Sequence, residues 1–217
     1  MTTTTRTVAL AAMTLAVAVA AGAQTASIKE TDRFIKNGGS TAQAVAEARL
    51  KTKNALDAYN ALVQGDTKDM KGDYRKLLSS EKTMNNQVMD AQKTVADMDK
   101  QAAIYFTARS SALGQIQDPA LRDQAKSRLE ASREEYDKVK AALKDAGEAL
   151  SPFSTELVDN IKYLGAELTP GAAASLKPQA DKLNERGATV FAQADNAVVT
   201  ANKYFDTLRS ETPADVK

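Results

Sequence analysis

Apolar residues recur along most of this chain at alternating steps of three and four positions. The average step of 3.5 residues is typical of a coiled-coil seam, where helices wrap around one another. The longest such pattern keeps its phase for six heptads, and only Glu81 and Arg109 interrupt it with polar side chains. It predicts a long second helix whose seam consists of Met70, Tyr74, Leu77, Glu81, Met84, Val88, Ala91, Val95, Met98, Ala102, Tyr105, Arg109 and Ala112.

A shorter first helix is predicted from Ser40 to Gln64. Residues 37–39 before it, Asn-Gly-Gly, are typical of a turn, and Ser40 with Gln43 forms a capping-box pattern that favours a helix start. Residues 65–66, Gly-Asp, end this helix, and the aspartate is positioned to cap the next one. The predicted seam of the first helix is Val45, Ala48, Thr52, Ala55, Tyr59 and Leu62.

The third and fourth predicted helices each begin with a cap and a proline, at residues 118–119 (Asp-Pro) and 169–170 (Thr-Pro). The third helix is expected to reach about Leu168. Its seam passes Pro152 without losing phase, which predicts a kink rather than an end. Pro178 predicts a kink in the fourth helix or a delay of its start. The third seam is Ala125, Leu129, Ser132, Tyr136, Val139, Leu143, Ala146, Leu150, Phe153 and Leu157, and the fourth is Ala173, Leu176, Ala180, Leu183, Gly187, Val190, Ala194, Ala197, Ala201, Tyr204 and Leu208.

The helix lengths and the short connections predict the architecture. Short connections make consecutive helices antiparallel neighbours, and the second and third helices extend about 60–75 Å at 1.5 Å per residue. The expected fold is all-α, an elongated antiparallel helical bundle or coiled coil of four main helices with a protruding two-helix hairpin. Its base has four helices, its middle three, and the hairpin tip is residues 114–119. Tyr59 should lie near Tyr74, and the taper from three helices to two should gather Tyr105, Phe106, Tyr136, Tyr204 and Phe205.

The N-terminus has the order of a secretory signal. Arg6 precedes an apolar run at residues 8–21, and Ala21 and Ala23 provide the small residues that signal peptidase reads. The run is short for a membrane span, which needs about 20 residues, and a retained anchor is the alternative to cleavage after Ala23. A periplasmic or secreted location follows. The expected division of the chain is a cleaved signal at residues 1–23, a short segment at 24–39, the coiled-coil domain at 40–209 and a flexible tail at 210–217.

Composition and charge exclude several kinds of chemistry. The chain has no His and no Cys, which removes imidazole bases, thiolate nucleophiles, zinc fingers, haem and iron–sulfur ligation, and disulfides. Its 29 basic and 28 acidic residues nearly balance, so nothing electrostatic favours a nucleic acid partner. Carboxylate pairs such as Glu134 with Glu135, and Asp97 with Asp99, are typical of a solvated helix face. We therefore expect no enzyme activity, and no catalytic residue, metal or cofactor.

Two groups of apolar residues are candidate partner contacts. Met84 and Met98 lie fourteen residues apart on one helix face, and methionine-rich surfaces can form adaptable binding grooves. The alternative is a plain core stripe. At the predicted hairpin tip, Leu113, Ile116 and Leu121 form a small apolar patch that either docks a partner or caps its own coiled coil.

Three polar features remain ambiguous in the sequence. Glu81 and Arg109 are either polar register keys, an exposed pair that binds a partner, or residues at the seam edge that extend to water. Residues 65–73 superficially resemble a phosphate or calcium loop. They lack the Gly-Lys-Ser/Thr signature, a preceding strand and a closing Glu, so we interpret them as a turn.

Several motifs occur in a fixed order along the chain: LDAYNALV at 56–63, GDYRKL at 72–77, DPALRDQAKSRLEASREEYDKV at 118–139, LSPF at 150–153, IKYL at 161–164, LTP at 168–170 and ASL at 174–176. In this order they resemble an uncharacterised family of secreted bacterial envelope proteins, mainly gammaproteobacterial and labelled only as a domain of unknown function. The resemblance spans residues 27–208. It implies a helical envelope protein and brings no known activity or catalytic residues. Members often carry a lipoprotein cysteine after the signal, whereas this chain has Ala23 and Gln24, which favours a soluble periplasmic form.

The function predicted from these features is a non-enzymatic coiled-coil scaffold or interaction protein of the periplasm or envelope. Its partners are unknown envelope proteins or a second copy of the chain. Membrane contact is compatible with the sequence, but lipid anchoring is not, because no cysteine follows the apolar run. The alternatives are a membrane-surface helical module that senses curvature and a holdase-type chaperone.

Overall fold

The chain folds into helices joined by short turns. The computed structural model describes the backbone of residues 7–65 and 68–212, and the side chains from residue 27 onward within those ranges. This part of the chain contains no β-strand, and the predicted all-α class is confirmed. The helices are α1 (Thr7–Val63), α2 (Met70–Leu113), α3 (Pro119–Ala166), α4 (Pro170–Ser175) and α5 (Lys177–Glu211).

The four long helices pack as an antiparallel bundle around one continuous core. α1 lies between α2 and α5, while α3 packs against α5 and less extensively against α2. α1 and α3 are therefore diagonal to each other. Every predicted seam position of the first and fourth helices is buried, which confirms the heptad interpretation of these segments.

The predicted turn at residues 37–39 is wrong, because α1 continues through them without a break. Neither Gly38 nor Gly39 has a positive φ. Gly38 instead lies against the ring of Phe205 on α5, and a Cβ there would overlap three ring carbons. The glycine is required by a close helix approach and not by a turn. The predicted helix start at Ser40 and the separate segment 24–39 are wrong for the same reason.

The turn after α1 is formed as predicted, with a different cap on the next helix. Gly65 has a φ of 82°, the left-handed conformation that favours glycine. The predicted cap, Asp66, lies outside the described residues. Asp69 caps α2, and its carboxylate accepts a hydrogen bond of 2.9 Å from the backbone N–H of Gly72.

Pro152 does not end its helix, as predicted, and the predicted kink there stays a prediction. Pro152 lies inside a continuous α3, which ends at Ala166, two residues before the predicted end. The fourth helix is divided at Leu176 into the short α4 and the long α5, and Pro178 is the second residue of α5. Pro178 therefore delays the start of the main helix, because proline is tolerated only in the first turn.

The expected division at the two chain ends stays a prediction. Residues 1–6 and 213–217 lie outside the described residues, and the backbone of residues 7–23 belongs to α1. Within the residues searched, no helix is both long and apolar enough to cross a membrane.

Candidate interaction surface

The ends of α2 and α3 that meet at residues 114–118 form an exposed hairpin, residues 107–135, which we call the arm. No residue of the arm is buried, whereas both helices bury side chains at regular intervals once they enter the bundle. The structure thus confirms the predicted position of the hairpin. Its tip is the turn where Gly114 N–H bonds Ser110 and Asp118 caps α3 by accepting from Ala120 and Leu121.

α1 runs antiparallel to α2 and reaches the base of the arm. Gln101 on α2 donates to Glu30 on α1 at 2.8 Å, and Thr41 on α1 donates to the backbone oxygen of Thr94 at 3.1 Å. This antiparallel register brings the described part of α1 level with the base of the arm. Ser27 is buried at this level. Because α1 does not begin at residue 40, four long helices meet at the base of the arm, where three were predicted.

Six aromatic rings fill the bundle at the base of the arm. The predicted five are brought together, and Phe34 on α1 lies in their centre, 4.8 Å from the ring of Tyr105 and 5.0 Å from that of Phe205 between centroids. The cluster therefore joins α1, α2, α3 and α5, and the predicted taper from three helices to two is wrong at this level. Phe34 was not among the predicted members, because it precedes the turn predicted at residues 37–39. The cluster is Phe34, Tyr105, Phe106, Tyr136, Tyr204 and Phe205.

Polar groups around this aromatic cluster have partners. The hydroxyl of Tyr136 donates to Asp99 at 2.7 Å, and the hydroxyls of Tyr204 and Ser132 are 3.0 Å apart. Burial, with the nearby Asp99 carboxylate, holds the pKa of Tyr136 far above its ordinary value, and burial raises the pKa of Tyr204. Both phenols therefore stay neutral at physiological pH and serve as hydrogen-bonding core residues.

The prediction that Tyr59 and Tyr74 lie at the same height along the bundle is also confirmed. The Tyr59 hydroxyl donates to the side chain of Asn160 at 3.2 Å, and the Tyr74 hydroxyl donates to the backbone oxygen of Ile161 at 3.3 Å. Both bonds reach the same turn of α3, so the two tyrosines lie at one level of the bundle.

The two candidate groups of partner contacts differ sharply in exposure. Met84 and Met98 have no exposed surface, so neither presents a side chain to a partner in this conformation and the core alternative fits them. The three tip residues lie in or beside the turn between α2 and α3. Leu113 and Ile116 are partly exposed, and Leu121 is 57% exposed. Only the tip remains a candidate contact.

The polar interruptions of the α2 seam lie at its edge. Glu81 is partly buried and accepts a hydrogen bond of 3.1 Å from the side chain of Asn85, and Arg109 is exposed. This favours the interpretation in which both extend to water. Two of the candidate carboxylates form ion pairs with lysines on their own helix: Asp97 with Lys100 at 3.0 Å, and Glu135 with Lys138. Among the residues searched, no cluster of three or more acidic residues could hold a metal.

Two grooves on the bundle were not foreseen. The larger, of about 820 Å³, is open to solvent and lies where α3 passes α4 and the start of α5, around Pro152, Tyr163 and Leu176. A smaller one of about 290 Å³ lies between α1 and α5 beside the paired side chains of Asn60 and Asn184, 2.7 Å apart. The prolines near α4 were the sequence signal for the first groove, because a divided helix leaves the surface unevenly covered. The spacing of apolar residues gave no indication of the second groove.

Comparison with known proteins adds a family but no activity. No curated protein and no solved structure matches the chain. A protein-family model described as "Protein of unknown function (DUF2959)" matches residues 20–208, most of the chain and all of the bundle except the first turns of α1 and the end of α5. The chain therefore belongs to the DUF2959 family of proteins of unknown function.

Proposed function

We propose that this protein is a non-enzymatic helical scaffold of the bacterial envelope, which binds other envelope components through its arm. The envelope location rests on the signal-like N-terminus and on the resemblance to secreted, mainly gammaproteobacterial proteins. The bundle supplies a rigid body, and the arm supplies the contact surface.

The observation that carries the proposal is the exposure of the arm. Helices in proteins owe most of their stability to tertiary packing of an apolar face, and α2 and α3 follow this rule inside the bundle. Between residues 107 and 135, on either side of the turn at 114–118, they remain regular helices without burying a single residue. Leu121 stands 57% exposed at the end of this surface. A partner that covered the arm would restore the burial that the rest of both helices has.

Site-specific photocrosslinking in living cells tests this proposal. A photoreactive amino acid is placed at Leu121 on the arm, and the matched control carries it at Met89, which is 68% exposed on the body of α2. We expect discrete crosslinked species from position 121 and none of them from position 89. The absence of any crosslink at 121, or identical products from both positions, would contradict the proposal.

The envelope location has its own test. Mass spectrometry of the protein purified from its native host should find Gln24 as the first residue. An intact Met1 in the purified protein would overturn the cleaved signal and leave a retained anchor.

A further inference from the structure

We infer that the outer face of α2 rests lengthwise on an anionic lipid surface. The inference goes beyond the proposed function, because it concerns the body of the bundle and not the arm. It follows from the way in which charges are sorted around α2, from their exposure and from their spacing.

The basic residues of α2 form a row along one side of the helix. At about 100° per residue, five of its seven basic residues point within roughly 40° of one another, and none of its five acidic residues points into that sector. At 1.5 Å per residue, these five residues extend over about 44 Å. We call them the basic row, which consists of Lys71, Arg75, Lys82, Lys93 and Lys100.

The helix diagonal to α2 shows no such sorting of charge. α5 has five basic and five acidic residues, and the two signs share the same directions around the helix. Asp195 lies 18 residues after Lys177, and Lys203 lies 18 residues after Glu185. Each interval is about five full turns, so each pair points the same way. The sorting on α2 is therefore a property of one side of the bundle.

The edge of α3 beside α2 adds further cations. Six of the eight basic residues of α3 point within roughly 40° of one another, and none of its nine acidic residues shares that sector. Lys140 of this group lies 3.8 Å from Asp99 of α2, so the group borders α2. Three of the six form ion pairs within α3, and the basic row therefore contributes most of the unpaired charge. The group is Arg122, Lys126, Arg133, Lys140, Lys144 and Lys162.

The basic row is available to a ligand. All five of its side chains are exposed. Within the described residues, only Lys100 of the row forms an ion pair, with Asp97 on its own helix at 3.0 Å. The other four cations face solvent, where a negatively charged surface attracts them.

Exposed apolar side chains accompany these cations. Met89 lies within the row and is 68% exposed. Leu78 and Ile104 lie within about 20° of its edges, and they are 38% and 50% exposed. Cations that meet the headgroups and apolar side chains that enter between them are the combination by which amphipathic helices bind anionic interfaces.

The spacing of the row favours a flat surface over a partner helix. Lys82 and Lys100 are 18 residues apart, and so are Arg75 and Lys93. This interval is about five turns of a straight helix, so the row runs parallel to the helix axis. A partner helix that wrapped around α2 would follow a seven-residue repeat instead.

The composition of the row also favours lipid over protein. Four of its five cations are lysines, which are depleted in protein interfaces, whereas arginine and aromatic residues are enriched there. No aromatic residue is among the exposed apolar side chains beside the row. Lysine side chains extend readily to headgroups while their stems lie along apolar surface.

A fluorescent probe on the row tests the contact directly. The chain has no cysteine, so Met89→Cys can be labelled alone with an environment-sensitive dye. Val199→Cys, at a position that is 65% exposed on α5, gives the matched probe on the diagonal helix. Each protein is purified from the native host, so that all variants carry the same N-terminus. It is then mixed with vesicles of phosphatidylethanolamine and phosphatidylglycerol, or of phosphatidylcholine alone. We expect a blue shift only for the row probe, only with the anionic vesicles, and its reversal at high salt.

Neutralising part of the row measures its contribution. Lys82→Gln with Lys93→Gln should weaken binding to the anionic vesicles about tenfold or more, since each basic residue near such a surface contributes about fivefold. Lys182→Gln with Lys203→Gln removes the same charge from the exposed surface of α5 and should leave the binding unchanged. Circular dichroism confirms that each variant is folded. Equal binding by the two double variants would contradict the inference.

Removing apolar contact separates a lipid surface from a soluble polyanion. Met89→Ser with Ile104→Ser keeps every charge of the row and should weaken vesicle binding severalfold, because less apolar surface enters the headgroup layer. Unchanged binding would mean that the row acts by charge alone, as in contacts to a nucleic acid backbone, and would overturn the lipid contact.

Four further results would overturn the lipid contact. They are an equal shift with both kinds of vesicle, an equal shift of both probes, a shift on concentrating the protein without vesicles, which would assign the row to a second copy, and a discrete protein crosslink from the photoreactive residue at Met89, which would assign it to a partner protein. Protein crosslinks at position 121 without any vesicle response would reject this inference and leave the scaffold proposal intact. A vesicle response without crosslinks at 121 would do the reverse.

Discussion

Gly38 and Gly39 give the most direct test of the fold, because they are adjacent in α1 and have opposite surroundings. A Cβ at Gly38 would overlap the ring of Phe205, whereas nothing lies within 4 Å of a Cβ at Gly39. Both positions are inside a continuous helix. Alanine is favoured over glycine there by about 1 kcal/mol. Gly39→Ala should therefore stabilise the protein by about 0.5–1 kcal/mol.

Gly38→Ala should destabilise it. The Phe205 ring is 1% exposed and is held between the rings of Phe34 and Tyr204, each about 5.0 Å away between centroids. It cannot move aside without disturbing the aromatic cluster. Overpacking a core in this way costs about 1–3 kcal/mol, which exceeds the gain in helix propensity. We expect a net loss of about 1–2 kcal/mol for Gly38→Ala.

The measurement is urea unfolding followed by circular dichroism, with thermal melts as a second readout. The two variants should differ by about 1.5–3 kcal/mol in the free energy of unfolding. For a chain of this length, each kcal/mol moves the melting temperature by about 2–4 °C. The double variant Gly38→Ala with Phe205→Leu should show a smaller penalty for the alanine than the wild-type background, because the shorter side chain leaves room for the methyl group.

Two outcomes would refute the reasoning. If both single alanine variants lose stability, residues 37–39 form the turn that the sequence suggested, since a turn glycine tolerates no side chain without strain. If both gain stability equally, the Phe205 ring does not lie against Gly38, and the aromatic cluster is not closed by α1.

Three further predictions test the core and the turns. Met98→Ala should lower the free energy of unfolding by about 2–5 kcal/mol in urea titrations, because the Met98 side chain is fully buried. The control Met89→Ala, at an exposed position, should change the free energy of unfolding by no more than about 0.5 kcal/mol. Equally small effects of both substitutions would make Met98 a candidate partner contact again. Gly65→Ala should cost about 1–2 kcal/mol, since the φ of 82° disfavours any Cβ although the space is open; an unchanged unfolding midpoint would contradict that turn. Burial raises the pKa of Tyr59 to about 12, so between about pH 10 and 12 the native state keeps a proton that the unfolded chain loses. Stability should be fully present below about pH 10 and fall above it, and Tyr59→Phe should make that fall shallower in alkaline unfolding curves; an unchanged slope would contradict the raised pKa.

The heptad spacing predicted the core well because it reports a local property of each helix. Which face is apolar depends only on neighbouring turns, so the seams of the first and fourth predicted helices are buried at every position. On α2 the positions Leu77, Met84, Ala91, Met98 and Tyr105, seven residues apart, are all buried. The alternate seam positions are mostly half buried, with Ala102 beside the aromatic cluster as the exception. The reason is that α3 covers α2 less extensively than α1 does. The sequence of α2 alone does not contain that information.

The candidate site was predicted in part for the same reason. The tip residues follow directly from the turn between α2 and α3, so Leu113, Ile116 and Leu121 were found from local signals. The role of the methionines was left open, because a core stripe and a binding groove have the same spacing. Burial by neighbouring helices decided between them, and Met84 and Met98 are core residues.

The error at residues 37–39 shows where local reasoning ends. A glycine is compatible with a left-handed turn and also with close contact between a helix backbone and a bulky side chain. For Gly65 the first reason holds, and for Gly38 the second, because a ring 167 positions further along the chain occupies the space of its side chain. Joining residues before 37 to α1 adds Phe34 to the aromatic cluster and brings the N-terminal part of the chain to the arm. One misassigned glycine therefore left α1 out of the aromatic cluster that the sequence predicted.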